Sequence, residues 1–324
     1  MNKKMLNVMI TSAGTASAVN VIKSLRKQNE FDINIIAIDN DPLASGLRLA
    51  DKHYIVPLVS DSKYITTILD IASFESIEIM LPIYSGEIAM IAENKKILES
   101  NNIKTLLPDS DVIKLCNDKP AMTEFVRKLG INTPKIYSNE EIRILKGDEF
   151  PLFIKPVTGS SSSGALKIED NAELEFHLRK NKDILVQDFI EGQEVTIDCF
   201  CNKQSEALVV APRLRLAIKS GQSVKGKTID NKKYFEIVKN ISKKLGMVGV
   251  CNLQFIERGN DLFFIEINPR YAAGGLMLTV ESGANIPLLV IKEILDLPIL
   301  KEECSCKTNV FMSRYWEEVF WKEN

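Results

Sequence analysis

The first hundred residues alternate between two hydrophobic periods, and this alternation restricts the fold more than any other feature of the chain. Five short apolar runs indicate β-strands: LNVMIT, INIIAID, HYIVPL, IEIMLP and KTLLP. Three stretches with the helical period lie between them: ASAVNVIKSLRKQ, KYITTILDIASF and GEIAMIAENKKILESN. Strands that alternate with helices form parallel βαβ units, so the sequence predicts a doubly wound parallel sheet at the start of the chain.

The turn after the first strand, TSAGTASA, raises the question of a dinucleotide site. It is made of small residues but contains only Gly14, and it lacks the G-x-G-x-x-G spacing that lets a backbone approach a pyrophosphate. Asp39 ends the second strand, where a ribose-binding acid would lie. These features favour a Rossmann-like domain with a structural role and leave an NAD(P)-dependent oxidoreductase as an alternative.

The composition excludes several partners. The net charge is −2, so no basic surface for nucleic acid or anionic membranes is indicated. No apolar run is long enough to span a membrane, and Asn7 interrupts the apolar start of the chain, which argues against a signal peptide. We therefore expect a cytoplasmic protein that binds neither nucleic acid nor membrane.

Imidazole and thiol chemistry are also disfavoured. The two histidines, His53 and His177, have no sequence neighbours that suggest a triad or a metal site. The six cysteines fit reduced thiols better than a disulfide framework, and their C-x-C pairs lack the spacing of a zinc knuckle. The chemistry of this chain must therefore depend on other side chains.

The pattern changes after residue 107. DSDVIKLCND and KPAMTEFVRKLGINTP indicate helices, PLFIKPV and GALKIED indicate strands, and AELEFHLRKN and DILVQDFI indicate a further helix and strand. Antiparallel hairpins follow, in EVTIDCFCN–EALVVAPRLR and in GVCNLQFIERGNDLFFIEINPR, with helices KYFEIVKNISKKLGM and IPLLVIKEILDL. We expect the aromatic residues of the tail (Tyr315, Trp316, Phe320 and Trp321) to pack on the body of the protein.

The last hairpin carries a cluster of oxygen-bearing side chains. Period-2 alternation places Asn252 and Gln254 on one face of its first strand, and Glu266 and Asn268 on one face of its second. A three-residue turn, GND, would bring Gln254 opposite Glu266. Burying such groups without partners costs a few kcal/mol each, roughly, and all-oxygen ligation suits Mg²⁺. A solvated sheet face is the alternative, but Arg270 follows at once and favours an anion-binding site.

Two lysines and a serine-rich loop are candidates for phosphate binding. Lys119 opens a helix, and Lys155 ends an apolar strand directly before TGSSSSGA. Small residues let backbone N–H groups approach phosphate oxygens, and hydroxyls add donors, although the composition also suits a flexible linker. The loop residues predicted to bind phosphate are Gly159, Ser160, Ser161, Ser162, Ser163 and Gly164.

The segment ILVQDFIEGQEVTID suits a nucleoside. A base can lie against exposed backbone at the end of a strand, where Gln187 could reach an exocyclic amine. Glu194, seven residues further on, could accept hydrogen bonds from ribose hydroxyls.

Taken in order, these segments resemble the motifs of the ATP-grasp superfamily. NDKPAMTEFVRKLGINTPK, FIKPVTGSSSSGA, LVQDFIEGQEVTID, GVCNLQF and FFIEINPRYAAGG are similar to its successive motifs, and VMITSAG, AIDNDPLASGLRLADKHYIVP and EIMLPIYSGEIAMIAEN to its preceding domain. The resemblance covers nearly all of residues 5–300 and is strongest to the carbamoyl phosphate synthetase and biotin carboxylase branch. It implies an α/β and α+β chain: a Rossmann-like domain (1–107), a small subdomain with a mobile lid (108–185), a large subdomain with the Mg-ATP site (186–300) and a C-terminal extension (301–324).

The resemblance also implies roles for single residues. Lys119 and Lys155 would contact the ATP phosphates, Gln187 and the backbone of Asp188 and Phe189 would bind adenine, and Glu194 would bind ribose. Two Mg²⁺ ions, or Mn²⁺ in their place, would be held by Gln254, Glu266 and Asn268. Arg270 would stabilise the transferring phosphate, and Arg213 and Arg215 would contact either that phosphate or a substrate carboxylate. Many family members carry Glu or Asp where Gln254 stands, so Gln254 is a weaker metal ligand than Glu266.

The implied reaction is an ADP-forming ligation through an acyl phosphate. The chain has one synthetase unit and is shorter than a biotin carboxylase, so we expect a stand-alone carboxylate–amine or carboxylate–thiol ligase, acting on an amino-acid-like substrate. Dimers are common in the family, which makes a homodimer the assembly to test. Carboxyphosphate and carbamate chemistry, as in carbamoyl phosphate synthetase, and a non-catalytic ATP-binding subunit remain alternatives.

Overall fold

Three β-sheets organise the computed structural model, which describes residues 3–157, 164–181 and 183–322. The first sheet has the order β3-β2-β1-β4 and is parallel throughout. Its strands are β1 (Met5–Ile10), β2 (Asp32–Asp39), β3 (Lys52–Ile55) and β4 (Ile79–Leu81), and its helices are α1 (Ala16–Lys27), α2 (Tyr64–Glu75), α3 (Ser85–Glu93) and α4 (Lys95–Ser100).

The prediction of a doubly wound parallel sheet is confirmed. Val8 of β1 and Ile35 of β2 share a core with α1, whereas their neighbours Met9 and Ile36 share a core with α2 and α3 on the opposite face. Two details were wrong. KTLLP forms only a single bridge, between Ile79 and Lys104, and the long predicted helix is divided into α3 and α4.

The second sheet is small and antiparallel, with the order β6-β5-β7. It consists of β5 (Leu152–Pro156), β6 (Leu166–Ile168) and β7 (Ile184–Asp188), and α8 (Asn171–Lys180) packs Leu174 against it. The predicted boundary between residues 185 and 186 falls inside β7.

The helices before this sheet pack elsewhere. They are α5 (Ser110–Asn117), α6 (Lys119–Lys128) and the short α7 (Asn139–Ile142). Met122 and Val126 of α6 join the core that contains Phe255 and Phe264 of the third sheet. The predicted small subdomain, residues 108–185, therefore includes a helix, α6, whose apolar face belongs to the large sheet, whereas α5 places Ile113 in the core of the first sheet and Cys116 in that of the large sheet. The division into subdomains stays a prediction.

The third sheet is large, antiparallel and ordered β12-β11-β8-β9-β10-β13. Its strands are β8 (Gln193–Cys201), β9 (Ala207–Lys219), β10 (Gln222–Thr228), β11 (Gly249–Arg258), β12 (Asp261–Asn268) and β13 (Phe311–Ser313). One face packs on α9 (Lys232–Leu245), and the other packs on α10 (Leu276–Ser282) and α11 (Ile286–Ile294), which share a core with α1. Short 3₁₀ helices cover Ser45–Arg48, Gly147–Glu149 and Lys301–Cys304.

The prediction for the aromatic tail was wrong for three of its four residues. Tyr315, Trp316 and Phe320 are 80%, 85% and 89% exposed, whereas Trp321 lies under the guanidinium of Arg48. These residues follow β13, which pairs with β10 and forms the edge of the large sheet in the described part of the chain.

The cysteines are free thiols, as expected. Cys199, Cys201 and Cys251 come together in the core under α9, with their sulfur atoms within 4.8 Å of one another. None of the described helices combines the length and the apolar character that crossing a membrane requires.

Candidate active site

A cavity of about 620 Å³ opens between the small and large sheets. The predicted site residues that line it are Lys119, Lys155, Gln187, Asp188, Phe189, Glu194, Arg213, Arg215, Gln254, Glu266, Asn268 and Arg270. Gly164 lies outside this lining, and Gly159, Ser160, Ser161, Ser162 and Ser163 lie outside the described residues. Residues from both sheets, α6 and the segment after β12 thus meet in one place.

The hairpin β11–β12 has the predicted residue pairs, but its turn and its register differ from the prediction. Gln254 pairs with Glu266, and Asn252 pairs with Asn268. The turn has two residues rather than three, because Arg258 pairs with Asp261, and Gly259 there has a φ of +59° that suits glycine. A bulge between Gln254 and Phe255 adds one residue to β12 and restores the register.

Glu266 is the centre of this hairpin's polar face. Its Oε1 accepts hydrogen bonds from Gln254 Nε2 at 2.8 Å and from Asn268 Nδ2 at 3.0 Å. Asn268 Nδ2 also donates to Asn252 Oδ1 at 3.4 Å. The amides orient the carboxylate toward the cavity without neutralising it.

The negative charge of Glu266 acts on both predicted phosphate-binding lysines. Lys119 Nζ donates to the carbonyls of Pro156 and Val157 at 2.9 and 3.2 Å, which places it at the end of β5. Lys155, on β5 itself, is 7% exposed, and burial lowers its pKa to about 8, with Glu266 opposing that shift. Burial also lowers the pKa of Lys119, again opposed by Glu266. A buried lysine beside a half-buried one suits a polyanion.

Arg270 completes the ring of cations and is held by both halves of the protein. Its Nε donates to Ser85 Oγ of α3 at 2.7 Å, and its Nη1 donates to the carbonyl of Tyr271 at 3.2 Å. Asn252 Nδ2 donates to the carbonyl of Arg270 at 3.1 Å. Burial lowers the pKa of Arg270, and the negative charge of Glu266 opposes that shift.

Arg213 is committed to a buried network rather than open to a ligand. Its Nη2 and Nε lie 3.2 and 3.4 Å from the carboxylate of Asp198, and its Nη1 donates to Ser223 Oγ at 3.1 Å. Thr279 Oγ1 donates to the same carboxylate at 2.6 Å. A Cβ atom at Gly275 would lie 1.9 Å from Arg213 Nε, so a side chain there would displace the guanidinium from its partners. This geometry favours a supporting role for Arg213.

Replacing Asp198 by asparagine tests that role. The guanidinium of Arg213 would remain buried without its counter-charge, so we expect the free energy of unfolding to fall by about 3–5 kcal/mol. Urea denaturation would measure it. The matched control is Asp230→Asn, which removes an exposed pair with Lys232 and should change stability by about 0.5 kcal/mol or less. Equal effects of both variants would contradict the network.

Arg215 and Glu194 form an ion pair at the cavity wall. Arg215 Nη1 lies 3.1 Å from Glu194 Oε2, and its Nη2 donates to the carbonyl of Gly221 at 2.8 Å. The Arg215 side chain is buried, whereas half of the Glu194 carboxylate is exposed. Glu194 can therefore still accept from a ligand hydroxyl while it stays paired.

The predicted adenine contacts need one adjustment. The backbone N–H of Asp188 donates to the carbonyl of Lys135 at 2.9 Å, and its carboxylate accepts from Tyr137 Oη at 2.8 Å. That amide is therefore engaged within the protein. Phe189, one residue on, makes no backbone hydrogen bond among the described residues, and Gln187 is buried at the cavity wall.

Asp39, the residue on which the dinucleotide-binding alternative depends, is engaged within the protein. Asp39 accepts hydrogen bonds from the backbone of Gly14 at 2.7 Å and of Asp41 at 2.8 Å. The carboxylate therefore closes its own glycine turn where a cofactor would have to approach. This favours the structural role for the first domain.

Two site residues were missed in the sequence. Asp198 is an acid inside the apolar strand β8, which is a readable signal that a buried partner exists. Ser85 gave no such signal, because its contact with Arg270 joins residues 185 positions apart.

Comparison with known protein families agrees with this geometry. An ATP-grasp domain family matches residues 116–274, and a PylC-like N-terminal domain family matches residues 8–106, so that together they cover about 80% of the chain. Residues 116–274 belong to the ATP-grasp domain family. The resemblance inferred from the motifs is confirmed.

Individual relatives of this ATP-grasp protein are distant. The carbamoyl phosphate synthase large chain of Clostridium botulinum (strain Alaska E43 / Type E3) is 27% identical over 290 residues, 83% of this chain and 26% of that protein. The chain thus spans about a quarter of the length of the curated relatives it matches.

Solved structures confirm the predicted ATP-grasp fold. The biotin carboxylase domain of Hydrogenobacter thermophilus 2-oxoglutarate carboxylase has a TM-score of 0.74 at 20% identity, covering 95% of this chain and 74% of that one. An L-amino acid ligase from Bacillus licheniformis has a TM-score of 0.67 at 17% identity, covering 94% and 76%. At these identities the likeness concerns the fold alone, and the mobile lid stays a prediction.

The hairpin of this ATP-grasp protein fits a divalent cation. Its donor set is one carboxylate, Glu266, and the amide oxygens of Gln254 and Asn268, and hard cations prefer oxygen. Glu266 would hold Mg²⁺ together with Asn268, and Gln254 would contribute least because it carries no charge.

Replacing Gln254 by glutamate should strengthen that site. A second carboxylate would lower the Mg²⁺ concentration for half-maximal ADP release by about tenfold, or about 1.4 kcal/mol. The measurement is an Mg²⁺ titration at fixed ATP, with Gln204→Glu in the exposed β8–β9 turn as control. An unchanged Mg²⁺ requirement would remove Gln254 from the metal site.

Proposed function

We propose that this chain is an ATP-dependent carboxylate–amine ligase that activates a small carboxylate as an acyl phosphate and releases ADP and phosphate. The observation that carries the proposal is that Lys119, Lys155, Arg270 and Glu266 line one cavity, where the charge of Glu266 acts on all three cations. Three cations around one acid leave an excess of positive charge, which complements a nucleotide triphosphate.

The chemistry needs little covalent help from the protein. A substrate carboxylate oxygen attacks the γ-phosphorus, and the bond to the β,γ-bridging oxygen breaks to release ADP. The amine then attacks the acyl carbon, loses a proton, and phosphate departs. Positioning and charge neutralisation account for most of the catalysis of phosphoryl transfer.

The residues divide this work by position. Lys119 and Lys155 neutralise phosphate oxygens from the side of the small sheet, and Arg270 faces them from the end of β12. Mg²⁺, when bound, neutralises charge on the phosphate oxygens beside Glu266. The cavity lies between two sheets, which limits the access of water to the acyl phosphate.

The substrate class is proposed to be amino-acid-like, with amide or peptide bond formation. Support comes from the likeness of the fold to an L-amino acid ligase and from the PylC-like first domain. A thiol in place of the amine is the variant of the same chemistry. A second candidate is carboxyphosphate and carbamate formation, which the sequence likeness to carbamoyl phosphate synthase large chains favours.

A screen of ADP release separates these candidates. Protein and Mg-ATP are combined with pairs of L-amino acids, with dipeptides, with amino acids plus small thiols, and with bicarbonate plus ammonium. ADP and phosphate that require both a carboxylate and an amine support the proposal. Bicarbonate-dependent ADP release supports the second candidate, and AMP with pyrophosphate contradicts an acyl phosphate.

Alternatives of another class have their own readouts. Binding of NAD(P)H without binding of Mg-ATP would restore the oxidoreductase, and tight Mg-ATP binding with no turnover in any arm would indicate a non-catalytic ATP-binding subunit. We also propose a cytoplasmic location and a homodimer, since the Hydrogenobacter domain was solved as a dimer. Light scattering at several concentrations tests the dimer.

A further inference from the structure

The C-terminal segment, residues 310–322, follows the edge of the large sheet toward the cavity. β13 pairs with β10, and the backbone N–H of Arg314 then donates to the carbonyl of Val224 at 2.8 Å. The segment continues to the first domain, where Glu317 pairs with Lys23 at 2.7 Å and Trp321 stacks under Arg48. It therefore links the large sheet to the Rossmann-like domain.

Arg314 is the point at which this segment contacts the cavity wall. Its Nη1 donates to Gln222 Oε1 at 3.1 Å and to the carbonyl of Ala273 at 3.2 Å, and both partners line the cavity. No carboxylate lies within ion-pair distance of Arg314 among the described residues. A half-buried guanidinium is thus held by neutral oxygens, and its charge remains uncompensated beside the cavity.

The wall that Arg314 holds has little freedom to shift. Besides Arg314, Asn20 Nδ2 of α1 donates to the Ala273 carbonyl at 3.2 Å. A Cβ atom at Gly274 would lie 2.5 Å from the backbone nitrogen of Ser223, so the segment is in close contact with β10. A tightly packed segment with two anchors has one position, and loss of an anchor would move it relative to Arg270.

This wall contains none of the residues predicted to bind nucleotide or metal, although its Ser223 accepts a hydrogen bond from Arg213. It consists of Gln222, Ser223, Ala272, Ala273 and Gly274, and we call it the Ala273 wall. Adenine, ribose, phosphate and metal are accounted for by residues of α6, β5, β7, β8 and the β11–β12 hairpin. The Ala273 wall follows Arg270 in the chain. It is therefore the part of the cavity that remains for binding the substrate carboxylate and the amine or thiol that attacks it.

We propose that the C-terminal segment determines substrate recognition by positioning the Ala273 wall, and that Arg314 is the positioning residue through which it acts. The proposal rests on the ligase function proposed above. The C-terminal extension, for which the sequence predicts no role, would then contribute to substrate binding. The positive charge of Arg314, which no carboxylate balances, would favour an anionic substrate.

Arg314→Ala tests the proposal through a split between two Michaelis constants. With the carboxylate identified by the ADP-release screen, KM for the carboxylate should rise about tenfold or more, whereas KM for ATP should stay within about twofold. Arg314→Lys, which keeps the charge but not the fork, should recover part of the loss. The matched control is Arg26→Ala, because Arg26 also contacts one carbonyl and one side chain but lies far from the cavity.

A second measurement does not depend on turnover. Hydrogen exchange of peptides covering residues 221–224 and 271–276 should be faster in Arg314→Ala and unchanged in Arg26→Ala. Unchanged exchange in both variants, or an equal rise of both Michaelis constants, would overturn the positioning role. If the screen yields no turnover, the ligase proposal fails, while the exchange data still decide whether Arg314 positions the wall.

Discussion

Replacing Glu266 by glutamine is expected to reduce ADP release by at least about a thousandfold, which corresponds to about 4 kcal/mol of transition-state stabilisation. Glu266 is the carboxylate whose charge acts on Lys119, Lys155 and Arg270, and it is the charged oxygen donor of the hairpin. Glutamine keeps the size and the hydrogen-bonding capacity but removes the charge that would hold Mg²⁺ and orient the cations. Initial rates of ADP release at saturating ATP measure the effect.

Two control variants make this expectation specific. Glu236→Gln changes an exposed acid on α9, and His177→Ala removes a histidine that is not among the described residues lining the cavity. Both should keep wild-type rates. Circular dichroism and the free energy of unfolding should show that Glu266→Gln is folded. Normal turnover of a folded Glu266→Gln protein would overturn the metal and cation assignment.

Replacing Lys155 by methionine is expected to weaken ATP binding by about a hundredfold and, at the same time, to stabilise the protein. Lys155 is 7% exposed and burial lowers its pKa to about 8, so its charge is costly in the absence of ligand. Methionine fills a similar volume without that cost. We expect the free energy of unfolding at pH 7 to rise by about 1–3 kcal/mol.

The effect of Lys155 on the free energy of unfolding should depend on pH. Between pH 8 and the ordinary lysine value of 10.5, folded Lys155 has lost its proton while the unfolded chain still binds it. The unfolded state then binds more protons, so this group makes the free energy of unfolding rise with pH across that window. The stability advantage of Lys155→Met should therefore be full below pH 8 and shrink toward pH 10.5.

Calorimetric titration with Mg-ATP and urea denaturation at several pH values measure the two parts of this prediction. Lys225→Met, at an exposed lysine on β10, is the control and should change neither quantity. A Lys155→Met protein that is less stable than wild type at pH 7 would show that the lysine has a structural role. ATP affinity equal to that of wild type would remove it from the phosphate site.

Local patterns in the sequence predicted the hairpin because its contacts are local. The period-2 alternation of Gln254 and Asn252 against Glu266 and Asn268 depends on strands that are joined by a two-residue turn. The bulge before Phe255 was not predictable, since a bulge is an irregularity of the pairing and no residue type requires it. The predicted turn was one residue too long and the predicted pairing had no bulge. These two errors shift the register in opposite directions, so the predicted pairs of Gln254 and Asn252 were right.

The strands at the far edge of the large sheet were missed for a related reason. β10 (QSVKGKT) and β13 (FMS) have no clear alternation, because edge strands of this kind have little apolar surface to bury. They form because β9 and β10 offer pairing partners, which is a property of the sheet. The position of Arg314 beside the cavity depends entirely on that pairing.

Arg213 shows the same limit for a single side chain. Its sequence context placed it near the site, where it could contact a phosphate, a substrate or the protein. The tertiary structure pairs it with Asp198 and Ser223 and places Gly275 against it. The local sequence around Arg213 is compatible with all three roles. Only the packing of β8, β9 and β10 decides between them.

The sequence by itself determined the parallel first sheet, the order of the ATP-grasp motifs and the set of oxygen and nitrogen groups that the chemistry requires, because these follow from short-range periodicity and from residue types. The tertiary structure alone decided which groups meet. Lys119, Lys155 and Arg270 come from α6, β5 and the end of β12, and Ser85 reaches Arg270 across 185 positions. Such contacts are created by the packing of separate elements, and no local pattern in the chain records them.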